Sequence, residues 1–321
     1  MAAPTLVVGV DIGGTNVRAA AFDSSGQMLS HLQVPIEAAQ GPEVGLERIT
    51  NLVDEVRRAH PAYPLAGIGI GSTGPLDREK GTIENPYTLP TWESVAIVPA
   101  LSRAFGVPIE FENDADAAAL GEYWQGSGKG TNRLLALTVG TGVGTAIILN
   151  GQVYRGWQGY HGEGGHQVVD PSGPLCYCGA RGCLEILIAG PAIARLAQEK
   201  AAQSADTILR DLAGSDLGRI DGRMVSEAAR GGDAVARSVI ERIAFYLSVG
   251  LLNMIHFFVP EVIVLSGSVM RDYDLFEPTV RAFLDQCSIL EPANRVRIVI
   301  AGLGDHAGVY GAAYAILQKI S

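Results

Sequence analysis

The stretch Leu6-Val-Val-Gly-Val-Asp-Ile-Gly-Gly-Thr-Asn-Val-Arg-Ala-Ala-Ala-Phe22 decides how this chain folds. Leu6–Val10 is a short, unbroken apolar run, the pattern of a fully buried strand, and Val17–Phe22 is another. Gly13-Gly-Thr-Asn16 turns the chain between them, and Asp23-Ser-Ser-Gly26 turns it again into a third strand. The plan returns at Leu134-Leu-Ala-Leu-Thr-Val-Gly-Thr-Gly-Val-Gly-Thr-Ala-Ile-Ile-Leu149, with Gly140–Gly144 as the turn and Asn150-Gly151 as a hairpin signal. Two such meanders, with Gly13 aligned on Gly140, predict a duplicated α/β unit.

Around the meanders, periodicity predicts a helix near Val44–Arg58, a strand Ala66–Gly71 and a turn-rich extended segment Pro75–Trp92. A strand Ile109–Glu112 runs directly into an alanine-rich helix Ala115–Trp124. Helices follow at Pro191–Ala202, Thr207–Ala213, Met224–Arg230 and Asp233–Phe257, with strands at Val262–Ser266 and Val296–Ile300 and a last helix at His306–Ile320. Strands alternating with helices give an α/β fold. No long linker, charge run or low-complexity tract divides the chain. The expectation is two lobes with a cleft between them: a smaller one at 1–114, completed by the C-terminal helix 306–321, and a larger one at 115–305.

Composition limits the function. The 321 residues carry 24 Lys+Arg against 34 Asp+Glu, a net charge of −10, which argues against nucleic acid and anionic membranes as partners. The amino terminus has no basic region, and its apolar run is too short for a signal peptide. Ile243–Pro260 lacks acidic and basic side chains except His256, but it also holds Ser248, Gly250 and Asn253 and reads as a buried helix. A cytoplasmic protein is expected, in which clustered thiols are metal ligands rather than disulfides. The 40 glycines stand well above the ~7% average.

Three motifs carry chemistry. Asp11-Ile-Gly-Gly-Thr-Asn16 ends a strand: its glycines allow backbone N–H groups to converge on phosphate oxygens, Thr15 and Asn16 add donors, and Asp11 suits a hydrated Mg²⁺. The same residues also suit a plain tight hairpin. Gly140-Thr-Gly142 is a matching second loop, and two such loops would clamp a polyphosphate. Gly69-Ile-Gly-Ser-Thr-Gly74 copies a dinucleotide fingerprint but is followed by Pro75 and a turn-rich stretch instead of a helix, and no P-loop motif exists. Glu112-Asn-Asp-Ala-Asp116 joins strand to helix, where Asn113 suits an N-cap and Asp114 a base for phosphoryl transfer to an alcohol. Finally, His166 precedes Cys176-Tyr-Cys178-Gly-Ala-Arg-Gly-Cys183: three thiolates and an imidazole make a closed, structural Cys₃His zinc site. His161 forms no H-E-x-x-H with His166, and Cys287 reads as a core thiol on a helix.

Taken together, Asp11–Asn16, Glu112–Asp116, Gly140–Gly142, Gly162-Glu-Gly-Gly-His166 with Cys-x-Cys-Gly-x-x-Gly-Cys-x-Glu, Leu265–Ser268 and Ala307–Gly311 resemble the ROK family of repressors and sugar kinases across essentially the whole chain. The resemblance implies the duplicated actin-like, ribonuclease-H-like ATPase fold. It also implies an ATP:hexose 6-phosphotransferase of carbohydrate metabolism and glycolysis, most like a bacterial glucokinase. ATP with Mg²⁺ would be held by Asp11, Gly13, Gly14, Thr15, Asn16, Gly140, Thr141, Gly142 and Gly267. Asp114 would be the base, and Gly74, Asn113, Asp114, Glu163, His166 and Glu185 would hold the hexose. His166 would serve zinc through one ring nitrogen and the sugar through the other, with Cys176, Cys178 and Cys183 completing the metal site. An N-acetylmannosamine or other hexosamine kinase is the alternative substrate reading. A sugar-responsive repressor is the remote one, since the helix-turn-helix segment of such relatives is absent. A dimer or tetramer would be typical of the family. Gly164, His161, Thr88 and Asp116 depart from its usual residues and bear on sugar preference.

Overall fold

The computed structural model describes residues 5–160, 162–214, 216–290 and 292–320. Two compact units emerge, one of residues 1–134, 147–154 and 301–321, the other of residues 135–146 and 155–300. His161 lies outside the described residues.

The chain begins with β1 (Leu6–Ile12), β2 (Asn16–Asp23) and β3 (Met28–Pro35), then α1 (Pro42–Arg58) and β4 (Leu65–Ser72). A small hairpin of β5 (Leu76–Asp77) and β6 (Thr82–Ile83), α2 (Ile97–Phe105), β7 (Ile109–Asn113) and α3 (Asp114–Trp124) follow. The second meander is β8 (Arg133–Val139), β9 (Val143–Leu149) and β10 (Gln152–Val153). Then come α4 (Leu184–Ile188), α5 (Gly190–Gln203), α6 (Ile208–Ala213), α7 (Gly222–Arg230) and α8 (Ala234–Phe258). β11 (Val262–Ser266), α9 (Tyr273–Gln286), β12 (Arg297–Ile300) and α10 (Ala307–Ile320) close the chain.

One sheet has the order β3-β2-β1-β4-β7, antiparallel through the meander and parallel from β1 to β4 to β7. The other has the order β10-β9-β8-β11-β12, antiparallel between β10 and β9 and parallel between β11 and β12. Position by position the second order repeats the first. This is the duplicated actin-like, ribonuclease-H-like arrangement expected from the sequence.

Three elements depart from the expectation. The turn-rich stretch contains the β5–β6 hairpin, and α2 and the short α4 form where no helix was assigned, while α9 is the helix expected around Cys287 but given no bounds by periodicity. α2 has nine residues and no side-chain cap, and α9 carries Pro278 inside it, so neither offers the usual start and continuity signals. Cys287 is half-buried at the C-cap of α9, not in the core.

Alternation along β1 divides the core of the first unit. Leu6, Val8, Val10 and Ile12 join Ile49, Leu52 and Val53 of α1 and the fully buried Trp92. Val7 faces the opposite way, with Phe22 of β2 and Val309, Ala313 and Ile316 of α10. On that face two strand glycines admit the helix backbone itself. A Cβ on Gly9 would lie 2.0 Å from the Val309 carbonyl oxygen, and one on Gly69 would lie 1.7 Å from that of Ala312. α3 meets α10 the same way: a Cβ on Gly311 would lie 1.6 Å from the Ala117 carbonyl oxygen. The buried Glu122 carboxylate fixes the approach to α10, accepting from Ser127 N at 2.8 Å, Gly302 N at 3.0 Å and Leu303 N at 2.8 Å.

In the second unit α8 is the long apolar helix anticipated at Ile243–Pro260. Among the described residues it alone is long and apolar enough to cross a membrane, but 61% of that stretch is buried inside the protein. Its Gly250 makes room for Leu184, whose Cδ2 would lie 2.7 Å from a Cβ there, and so seats α4.

Gly311→Ala should destabilise the protein by about 3 kcal/mol in urea unfolding, because backbone cannot yield to the added methyl. Gly222→Ala, with nothing within 4 Å of the new carbon, should stay within about 0.5 kcal/mol of the parent.

Candidate active site

β7 delivers its last residues to the start of α3. Asn113 caps the helix, its Oδ1 accepting from Ala115 N at 2.9 Å, and Asp114 is the first helical residue. Arg78 straps the strand from outside, donating Nε–H to the Phe111 carbonyl at 2.8 Å and Nη2–H to Glu110 at 3.1 Å and Glu112 at 3.0 Å. Gly74 closes on this corner, since a Cβ there would lie 3.1 Å from Asn113 Nδ2. Asp116 is buried in the same turn. The Asp114 carboxyl opens to solvent on one side and is crowded by protein on the others. That burial pushes it up to about 6; the Ala115 amide opposes the shift, and the Asp11 and Asp116 charges add to it.

Asp11 sits near the end of β1, facing Gly308 of α10, where a Cβ would lie 2.7 Å from its carboxylate. Burial pushes its carboxyl up, and Arg18, 3.2 Å away, pulls it back. A carboxylate whose charge is raised in energy by burial suits a cation, so the residue fits Mg²⁺. The hairpin reading of the adjacent loop also holds: Gly13 N donates to Asn16 O at 3.0 Å. That donor is committed to the turn, which leaves Gly14 and Thr15 exposed at its tip.

In the second unit the matching loop is tied down at three points. Gly140 N donates to Gly142 O at 2.9 Å, Gly190 N to Gly140 O at 2.8 Å and Val143 N to Glu185 Oε2 at 2.8 Å. Glu185 therefore lies under the glycine loop, and a Cβ on Gly142 would come within 2.8 Å of its carboxylate. Thr141 is exposed. Gly267 follows β11 with φ +92°, and a Cβ on it would lie 2.3 Å from the Val139 carbonyl oxygen, so only glycine passes there.

The turn Gly164–His166 is held by Thr145, whose Oγ1 accepts from Gly164 N and donates to Gly162 O, both at 2.9 Å. A Cβ on Gly164 would lie 2.7 Å from Thr145 Cγ2, so the threonine leaves little room for a side chain there. Gln167 links the turn to α8, donating to Gly164 O at 3.0 Å and accepting from Asn253 at 3.1 Å. Glu163 is exposed.

The metal ligands converge. One ligand atom each from His166, Cys176, Cys178 and Cys183 lies within 4.8 Å of the others. Cys176 Sγ is 3.6 Å from His166 Nδ1, and Cys178 Sγ is 3.5 Å from Cys183 Sγ. Tetrahedral bonds of about 2.3 Å to sulfur and about 2.0 Å to nitrogen place neighbouring ligand atoms about 3.5–3.8 Å apart, so the donor set fits zinc. Gly179 and Gly182, both at positive φ, turn the loop, and Gly182 leaves no room for a side chain against the Asp170 carbonyl.

Tyr177 escaped the sequence reading. It lies between two ligands, and its hydroxyl is 3.1 Å from His166 Nε2. No spacing rule marks it, because only the folded loop turns it back onto His166.

The family model described as "ROK family" matches residues 7–319. The chain is 32% identical over 314 residues to a glucokinase of Thermotoga maritima, covering 98% of each protein. The crystal structure of a ROK hexokinase from Thermus thermophilus superposes with a TM-score of 0.82 at 33% identity, over 98% of this chain and 99% of the other. A ROK family glucokinase from Streptomyces griseus, solved with glucose and AMPPNP, matches with a TM-score of 0.71 at 32% identity, over 96% and 98%.

Purified without chelator, the protein should carry about one zinc per chain by elemental analysis. Cys178→Ser should lose it, and hydrogen exchange should then accelerate across residues 163–185, which depend on the cluster for order.

Proposed function

The chain belongs to the ROK family, and from that membership we propose that it is an ATP-dependent hexose 6-kinase whose substrate is glucose. Sugar-kinase activity is supported by the glucokinase and hexokinase relatives at 32–33% identity. The observation that carries the reading is Asp114, a carboxylate at the C-terminal end of a parallel strand, backed by Asn113 and Gly74 and raised to about 6.

A base of that strength is ionised at neutral pH and still basic enough to take the proton of an alcohol in the transition state. Asp114 accepts the proton of the sugar 6-hydroxyl while that oxygen bonds to the γ-phosphorus of ATP, and ADP leaves with the electrons of the broken P–O bond. Asn113 Nδ2 and the close approach at Gly74 orient the hydroxyl. Gly14, Thr15 and Asn16 contact phosphate oxygens, as do Gly140, Thr141 and Gly142, and Gly267 lets the chain pass close to the adenosine. Asp11 would hold Mg²⁺ through its water shell, where the ion neutralises phosphate charge. Glu163, His166 and Glu185 hold sugar hydroxyls. Zinc on Cys176, Cys178, Cys183 and His166 Nδ1 would fix the imidazole's tautomer and direction.

The pH dependence has a definite sign. Asp114 works only as the carboxylate, so kcat/KM should fall about tenfold per pH unit below about 6 and flatten above it. Asp114→Asn should lower kcat at least about 10³-fold while sugar binding survives. Because the folded state holds this acid above its ordinary value, its ionised form costs stability once the pH exceeds the acid's unfolded pKa. The same variant should therefore melt no lower than the parent at neutral pH. Near-normal turnover by Asp114→Asn would remove it as the base.

Turnover of glucose, mannose, N-acetylmannosamine and N-acetylglucosamine with ATP and Mg²⁺ tests the substrate. Glucose should have the highest kcat/KM. A preference for N-acetylmannosamine would replace it, and no turnover of any sugar would remove the kinase reading.

A further inference from the structure

Tyr177 touches the sugar groups assigned above in an unusual way. His166 turns Nδ1 toward the thiolates, 3.6 Å from Cys176 Sγ, so with a metal there the ring proton sits on Nε2. Nε2 lies 3.1 Å from the Tyr177 hydroxyl, which therefore accepts from the imidazole. The phenolic oxygen thus takes up the imidazole N–H that a sugar hydroxyl would otherwise accept from.

The rest of the side chain is weakly held. Tyr177 is 80% exposed, and its ring meets His166 only edge-on, with centroids 5.1 Å apart. Its backbone is fixed between Cys176 and Cys178, so side-chain rotation alone withdraws the hydroxyl, with little apolar burial to lose.

We propose that Tyr177 is a self-ligand of the sugar site: its hydroxyl satisfies His166 Nε2 while no sugar is bound, and a sugar hydroxyl replaces it. This rests on the hexose-kinase reading and adds a selectivity step to it. A sugar hydroxyl that accepts from Nε2 displaces the phenol without leaving the imidazole N–H unpaired. An analogue lacking that hydroxyl leaves Tyr177 in place and must compete with it. Tyr177 therefore weakens every sugar somewhat and weakens deoxy analogues most.

The test uses the full zinc-loaded protein and Tyr177→Phe. KM for the best hexose of the panel should fall about five- to tenfold, the equivalent of one net hydrogen bond, with kcat within about twofold. Calorimetric Kd for that hexose without ATP should fall by the same factor, and zinc content should stay unchanged. Tyr177→Ala should reproduce the fall if the hydroxyl is the competitor. A gain seen only in Tyr177→Ala would assign the effect to ring bulk and overturn the proposal. An unchanged or raised KM in Tyr177→Phe also overturns it and leaves the kinase reading intact. Failure of the parent protein to phosphorylate any hexose removes the kinase reading itself, and this proposal with it.

Discussion

Helix α10 lies against the first sheet at backbone distance, and that contact governs the first unit. Gly9 and Gly69 give up side chains where Val309 and Ala312 press their carbonyls onto β1 and β4. Gly311 and Gly121 do the same where α3 meets α10. Each glycine inside an element costs about 0.5–1 kcal/mol relative to alanine, so the gain comes from packing. The consequence reaches the chemistry. With α3 held at this depth, its first residue, Asp114, stands at the end of β7, and Gly308 leaves just enough space for Asp11.

In the second unit the matching constraint is the convergence of three thiols and one imidazole. Residues 163–183 contain little regular structure, being held by turns and isolated bridges. A cluster that fixes His166 at one end and Cys183 at the other fixes Glu185 too, because α4 starts directly after Cys183. Leu184 against Gly250 and Gln167 against Asn253 tie the same segment to α8. Metal, helix and glycine loop therefore converge on two side chains, His166 and Glu185. In the proposed reading, a structural zinc would bear on substrate recognition through these two side chains without a catalytic step of its own.

Much of this was legible in the chain itself. The meander turns at 13–16 and 140–144 are local features, and the neighbouring runs β3-β2-β1 and β10-β9-β8 followed from them. The strand-to-helix join at 112–116 carried its own signals: Asn113 reads as a cap and is one. What escaped were α2 and the extent of α9, which lack capping and continuity signals and form because tertiary packing supplies their burial. Gly13 shows a limit of another kind. Its motif suits both a hairpin and a phosphate loop, and the hydrogen bond to Asn16 shows its amide committed to the turn.

By itself the sequence determined the donor types and their spacing: three cysteines and a histidine, two glycine turns, a carboxylate at a strand end. These follow from neighbours in the chain, where period and turn chemistry act directly. Only the tertiary structure decided which atoms meet. It raised Asp114 by crowding its carboxyl with protein, and the charge of Asp11, remote in sequence, adds to the shift. It placed Glu185 under Val143 and the Tyr177 hydroxyl on His166. Hydrogen bonds and desolvation depend on distances of a few ångströms between separate segments, and no local pattern encodes those distances.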